Sequence, residues 1–268
     1  MDTFLVGVPL YLFMGVDMLI EGSVFKTKCC GDLVVVKYVD HRNVHVKFIN
    51  AGHQTIARAD HIRNGEVKDR TFPSVHGVGI LGDEPTTIKG KRVKEHSLWC
   101  GMLKRCYYIN SSKEHPTYKD CTVSDNFKYY PYFKEWCNHQ IGFNSKDEYG
   151  KPFHLDKDIL VKGNKVYSEN TCVFVPREIN ALLLKSDAGR GKHLIGVYYH
   201  KGSKKFAAMF NKLCKLFHIG YFDTEMEAFQ AYKQAKETYI KEVANKWKDQ
   251  IDHRVYNALM NYQVEITD

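Results

Sequence analysis

The sequence predicts an α+β protein assembled from several small domains around separate cores. Short strand-like runs crowd residues 21–65, and helical periodicity takes over from residue 93. Three more strand-like runs, followed by one long amphipathic helix, occupy residues 193–247. At 268 residues the chain exceeds the usual size of a single domain. Its 44% apolar and 26% charged composition is that of a globular chain and not a disordered one.

The chain opens on "TFLVGVPLYLFMGVDMLI", residues 3–20. No Lys or Arg precedes this stretch, Pro9 and Asp17 interrupt it, and no small-residue cleavage site follows, so neither a signal peptide nor a membrane partner is expected. Residues 1–20 are read as an apolar extension, either disordered or packed on the surface. A start at Met18 is the preferred alternative, because a compact β domain begins directly after it.

Residues 21–76 hold "SVFKT", "LVVVKYVD", "NVHVKFI" and "QTIARA", separated by turn residues. The alternation in "VHVKF" marks a half-exposed sheet, and four or five such strands in so short a span fit a small SH3-like barrel. The Gly-rich, polar residues 77–92 read as a linker. In the 93–188 segment, Leu98, Met102, Leu103 and Cys106 share one helical face. Phe127, Tyr130, Phe133, Trp136 and Cys137 form an aromatic stripe on another, expected to be core. Pro131 either kinks that second helix or marks its start. Residues 189–245 supply three strands and a helix capped by Asp223 or Thr224, with Glu227 at the capping-box position of Thr224. Ala228, Phe229, Ala231, Tyr232, Ala235, Tyr239 and Val243 form the face that covers the sheet. Residues 246–268 read as a polar, partly helical tail.

Thirty-nine Lys and Arg against 31 Asp and Glu give a net charge of +8. That balance suits an anionic partner such as nucleic acid, since neutralising phosphates releases condensed counterions; an ordinary, slightly basic protein is as consistent with the charge alone. The eight cysteines, Cys29, Cys30, Cys100, Cys106, Cys121, Cys137, Cys172 and Cys214, include no CxxC pair, which disfavours a structural zinc cluster. Most lie in apolar runs, so reduced core thiols in a cytoplasmic protein are expected.

One segment carries chemistry: "FHLDKDILVKGNKVYSENTCVFVPREIN", residues 153–180. Pro176, before Arg177 and Glu178, suits a helix start, so the segment reads strand, loop, strand, helix. A one-metal nuclease of that ββα layout needs hard oxygen ligands for Mg2+ (or Mn2+), a neighbouring base to activate water, and a ligand on the helix. Asp156, Lys157, Asn170 and Asn180 occur in that order. Taken singly, Asp156, Asp158, Asn164 and Asn170 are ordinary turn formers.

As an ordered set the segment resembles the HNH (His-Me finger) nuclease motif. The resemblance implies Asp156 and Asn180 as metal ligands, Asn170 as the loop asparagine, and Lys157 in the place of the catalytic histidine. An exposed lysine is protonated at neutral pH and is a poor base, and two flanking aspartates hold that proton more firmly. Lys157 is therefore expected either to act through a lowered pKa or to stabilise phosphate charge, leaving His154 or Asp158 to handle the proton. His154 shares the strand face of Asp156.

"IGVYYHKGSKKFAAMFNKLCKLFHIGYFDTEMEAFQAYKQAKETYI", residues 195–240, resembles an AP2/ERF DNA-binding domain, whose three-stranded sheet docks on double-stranded DNA with the helix behind it. Tyr198 and His200 stand in arginine places of that pattern, as does Asn211, and His218 stands in a tryptophan place. Arg190, Lys192, Lys201, Lys204, Lys205 and Lys215 are the expected phosphate contacts. Together the parts resemble phage-encoded, homing-type HNH/AP2 endonucleases. The implied function is Mg2+- or Mn2+-dependent cleavage of DNA, the alternative being a non-catalytic DNA-binding protein with a degenerate HNH centre.

Overall fold

The computed structural model describes residues 19–108, 116–183, 192–212, 215–266 and 268. The chain is mixed α+β and divides at Asp83/Glu84, inside the expected linker, into two compact units.

In the first unit four antiparallel strands, β1 (Val24–Lys26), β2 (Asp32–Asp40), β3 (Asn43–Phe48) and β4 (Gln54–Ala57), lie in sequence order. Alternation along β3 sends Val44, Val46 and Phe48 into a core with Leu33 and Val35. Asp40 folds the β2–β3 turn by accepting the backbone N–H groups of Arg42 (2.7 Å) and Asn43 (3.0 Å). The expected barrel does not close: β1 and β4 are the outer strands of an open sheet. After β4 the chain turns into helix α1 (Ala59–Arg63), whose Ala59 and Ile62 fill the core in place of a closing strand. Leu19, counted with the N-terminal extension from sequence, is buried in this same core. Part of the expected linker is also paired, as the hairpins β5 (Pro73–Val75) with β6 (Gly79–Ile80) and β7 (Thr87–Ile88) with β8 (Lys91–Arg92).

The second unit opens with the β7–β8 hairpin and continues through helix α2 (Lys94–Tyr107), then α3 (Asp125–Lys128) and α4 (Tyr130–His139). Pro131 sits in the first turn of α4 and so marks its start, where a proline nitrogen has no hydrogen bond to lose. The aromatic stripe is core: Phe127, Tyr130 and Phe133 are fully buried with Trp99, whose indole N–H donates to the Phe127 carbonyl at 2.7 Å. Trp99, and not Leu98, takes the central place on α2. Strand β9 (Thr122–Val123) pairs in parallel with β11 (Val166–Tyr167), and β10 (His154–Asp156) pairs antiparallel with β12 (Val173–Val175), which leads into α5 (Arg177–Leu182).

Strands β13 (Val197–His200), β14 (Lys205–Lys212) and β15 (Lys215–Phe222) form an antiparallel sheet in that order. The 23-residue helix α6 (Glu225–Trp247) follows, and its cap is Thr224. The Thr224 hydroxyl accepts the Glu227 N–H at 3.2 Å while the Glu227 carboxylate accepts the Thr224 N–H at 3.0 Å. Ala228, Phe229 and Tyr232 pack against Val197, Phe206, Ala208 and Phe222 on one face of the sheet. Residues 246–268 are more than a polar tail. Helix α7 (His253–Met260) buries Val255 and Leu259, and Val264 joins the core between sheet and helix.

Candidate functional site

Pairing of β10 with β12 sets His154 opposite Val175 and Asp156 opposite Val173. Every residue of β12 is buried, so this strand anchors the hairpin while β10 lies at its outer edge. Pro176 then holds extended backbone and turns the chain into α5, which carries Asn180 back over β10. The Asn180 amide nitrogen comes to 3.4 Å from His154 Nδ1. With the amide donating, the ring lone pair lies on Nδ1 and its proton on Nε2.

Asp156 lies two residues beyond His154 on the same strand face. One carboxylate oxygen accepts the backbone N–H groups of Asp158 and Ile159, both at 2.9 Å, which closes the turn after the strand. Burial, and secondarily the carboxylate of Asp158, push its pKa up to about 6. A divalent cation would relieve that cost, and Asp156 and Asn180 each carry the kind of oxygen donor that a hard ion takes. Among the described residues no group of three or more His, Cys, Asp or Glu is arranged to hold a metal.

Lys157 occupies a different place from the one its motif position implies. The side chain is 6% exposed, ion-paired with Asp158 at 3.1 Å and set 5.8 Å from the centre of the Tyr167 ring. Next to Asp156 in sequence, it turns to the opposite side of the chain, away from His154. Asn170 lies exposed in the turn before β12. The bracing expected of it comes from Asn164, whose amide nitrogen donates to the carbonyls of Lys157 and Val166 at 2.7 Å each. In the sequence Asn164 reads only as a turn former in "KGNK".

The three-stranded sheet gathers many of the residues expected to contact DNA. Strand register places Tyr198, His200, Lys205, Asn211 and His218 on the face opposite α6. Lys201 and Lys204 lie in the β13–β14 turn, Lys192 is exposed before β13, and Lys215 opens β15 opposite Lys212. Arg190 lies outside the described residues. Tyr221, which the sequence reading did not single out, belongs with the outer-face group: it lies across from Ala207, which in turn lies across from Tyr198. Its ring centre is 4.5 Å from that of His218 and 5.1 Å from that of His200. His200 Nδ1 accepts the Ser203 backbone N–H at 3.1 Å, which leaves its proton on Nε2.

Helix α6 ties the sheet to the ββα segment. At its end Trp247 donates to the Glu178 carboxylate at 2.8 Å and meets the Phe153 ring edge-on at 5.7 Å; Lys246 pairs with the same carboxylate at 2.7 Å. A cleft of about 1160 Å³ lies alongside, lined by Arg177 and Ala181 of α5, Ile195 in the turn before β13, Asn211 of β14, and Lys236 and Tyr239 of α6. Burial lowers the pKa of Lys236.

Fold and site together define a mixed α+β protein with a ββα segment braced against a three-stranded sheet. Comparison with models of known families, with curated proteins and with solved structures finds no match. Among the described residues no helix is long and apolar enough to cross a membrane.

Proposed function

We propose that the protein is a metal-dependent DNA endonuclease in which His154, and not Lys157, is the base. The observation that carries this reading is the meeting of His154 with Asn180 at 3.4 Å, on the strand face shared with Asp156. Asp156 and Asn180 would hold Mg2+ or Mn2+, which when bound neutralises charge on the scissile phosphate. His154 Nδ1 accepts the proton of the attacking water, since its contact with the amide is long enough for water to compete. Lys157 holds Asp158 from the interior side and keeps the turn in shape. The outer face of the sheet, with Lys201 and Lys204 at its end, binds the DNA.

A second reading, a DNA-binding protein whose centre no longer cuts, is favoured by the burial of Lys157, which leaves the motif's usual base position without an accessible group. Nicking of supercoiled plasmid in Mg2+, Mn2+ and EDTA separates the two. Metal-dependent nicking that vanishes in Asp156→Ala, Asn180→Ala and His154→Ala but survives in Lys157→Met is the expected result. Salt-sensitive binding with no cleavage in any metal establishes the second reading instead.

A further inference from the structure

The outer face of the three-stranded sheet is furnished for flat rings more than for reading a duplex. Tyr198, Ala207 and Tyr221 form one row across the three strands. Ala207 is fully buried although its side chain is on the face away from α6, and it is not part of the core beneath that helix. The two tyrosines, 36% and 45% exposed, are its immediate cross-strand neighbours. Each of the two tyrosines keeps surface open to solvent. His200 and His218 extend the group on either side of Tyr221.

Duplex readout in the major groove relies on guanidinium, amide or ammonium forks aimed at base edges. Among the described residues this face has no arginine, and its one amide side chain, Asn211, stands at the end of the sheet away from Lys201 and Lys204, beside the cleft. Its one lysine, Lys205, is paired with Asp223 at 3.0 Å. Free cations stand instead at the hairpin end, at Lys201 and Lys204, where a backbone leaving the ring platform would pass. Stacking of bases on aromatic rings beside a basic track is how unpaired strands are held. The two tyrosines are two strand spacings apart, roughly 10 Å, which suits two bases, each on its own ring.

We infer that this face binds single-stranded DNA by stacking unpaired bases on Tyr198 and Tyr221. The inference rests on the nucleic-acid reading above and sharpens it: the preferred ligand is an open strand and not the closed duplex.

The test is fluorescence anisotropy of the full-length protein with a labelled, non-self-complementary 12-mer and with its duplex, in EDTA to prevent cutting. The single strand is expected to bind at least tenfold tighter. Tyr198→Ala and Tyr221→Ala should each weaken it about tenfold, whereas Tyr221→Phe, which keeps the ring, should stay within twofold. As a check free of folding effects, a 2-aminopurine placed in the 12-mer should be quenched on binding wild-type protein. Tighter binding of the duplex, or an unquenched 2-aminopurine in the bound strand, overturns the inference and leaves the DNA-binding reading standing. Failure to bind either oligonucleotide overturns both.

Discussion

Asp156→Asn should make the metal-free protein more stable at pH 8 and leave it unchanged at pH 4. The folded-state pKa of Asp156 is raised from 3.8 to about 6, by burial first and by Asp158 second. A carboxyl whose pKa rises on folding contributes its full stability below the unfolded value, where it is protonated in both states. That contribution is lost as pH climbs from 3.8 through about 6, because the unfolded chain releases the proton first. At about 1.4 kcal/mol for each tenfold step the whole loss is about 3 kcal/mol, and residual solvation at a site that is not fully enclosed cuts it to roughly 1–2. Asparagine keeps an oxygen to accept the Asp158 and Ile159 N–H groups, so the turn survives while the charge goes. Urea unfolding in EDTA at pH 4, 5, 6, 7 and 8 measures both proteins. Their curves should coincide at the acid end and separate by about 1–2 kcal/mol at the alkaline end. Adding Mg2+ at ten times its dissociation constant should return about 1.4 kcal/mol to the wild type and nothing to the variant. A variant less stable than wild type at pH 8 would mean that the carboxylate is stabilised where it lies, and the reasoning would be wrong.

Two further substitutions test the framework that holds the site. Trp247→Ala removes an indole that is 4% exposed, together with its hydrogen bond to Glu178 and its contact with Phe153, and should cost about 3–5 kcal/mol in chemical denaturation; a loss below 1 kcal/mol would show that α6 does not brace the ββα segment. Gly196→Ala places a methyl 2.1 Å from the Tyr232 ring at a residue with φ of +74°, so a loss of at least about 2 kcal/mol is expected, read from the shift in denaturation midpoint.

What could be read from the sequence follows the range of the forces involved. Local hydrogen bonding fixed the start of α6 through Thr224 and Glu227, and both are legible as a spacing of three. Apolar periodicity identified Phe229, Tyr232 and Val243 as the helix's buried face, because burial repeats with the helical turn. The open first sheet was not legible, since the choice between closing a barrel and inserting α1 depends on whether Ile62 or another strand fills the core. The same holds at the site. The motif order Asp156, Lys157, Asn170, Asn180 describes connectivity, whereas the side of the chain on which each group emerges depends on strand alternation and on the turn braced by Asn164. Lys157 thus goes inward while His154, three residues earlier and outside the motif's usual order, meets Asn180. Tyr221 was missed for a related reason: it joins Tyr198 only through the cross-strand register over Ala207.

The long helix gives these separate features a common purpose. Twenty-three residues of α-helix span about 35 Å, with Phe229 and Tyr232 on the sheet at one end and Lys246 and Trp247 on Glu178 of α5 at the other. Asp268 and Glu265 add a second tie by pairing with Lys162 in the loop between β10 and β11. On the proposed reading, a strand bound to the sheet would be held at a fixed offset from His154, Asp156 and Asn180. A centre of one carboxylate, one amide and one histidine would have little binding energy of its own to position a phosphodiester, and accurate placement of reacting groups is itself worth several orders of magnitude in rate. On the proposed reading that placement comes from the sheet and is transmitted through α6, so that a sparse centre rests on a firmly packed support.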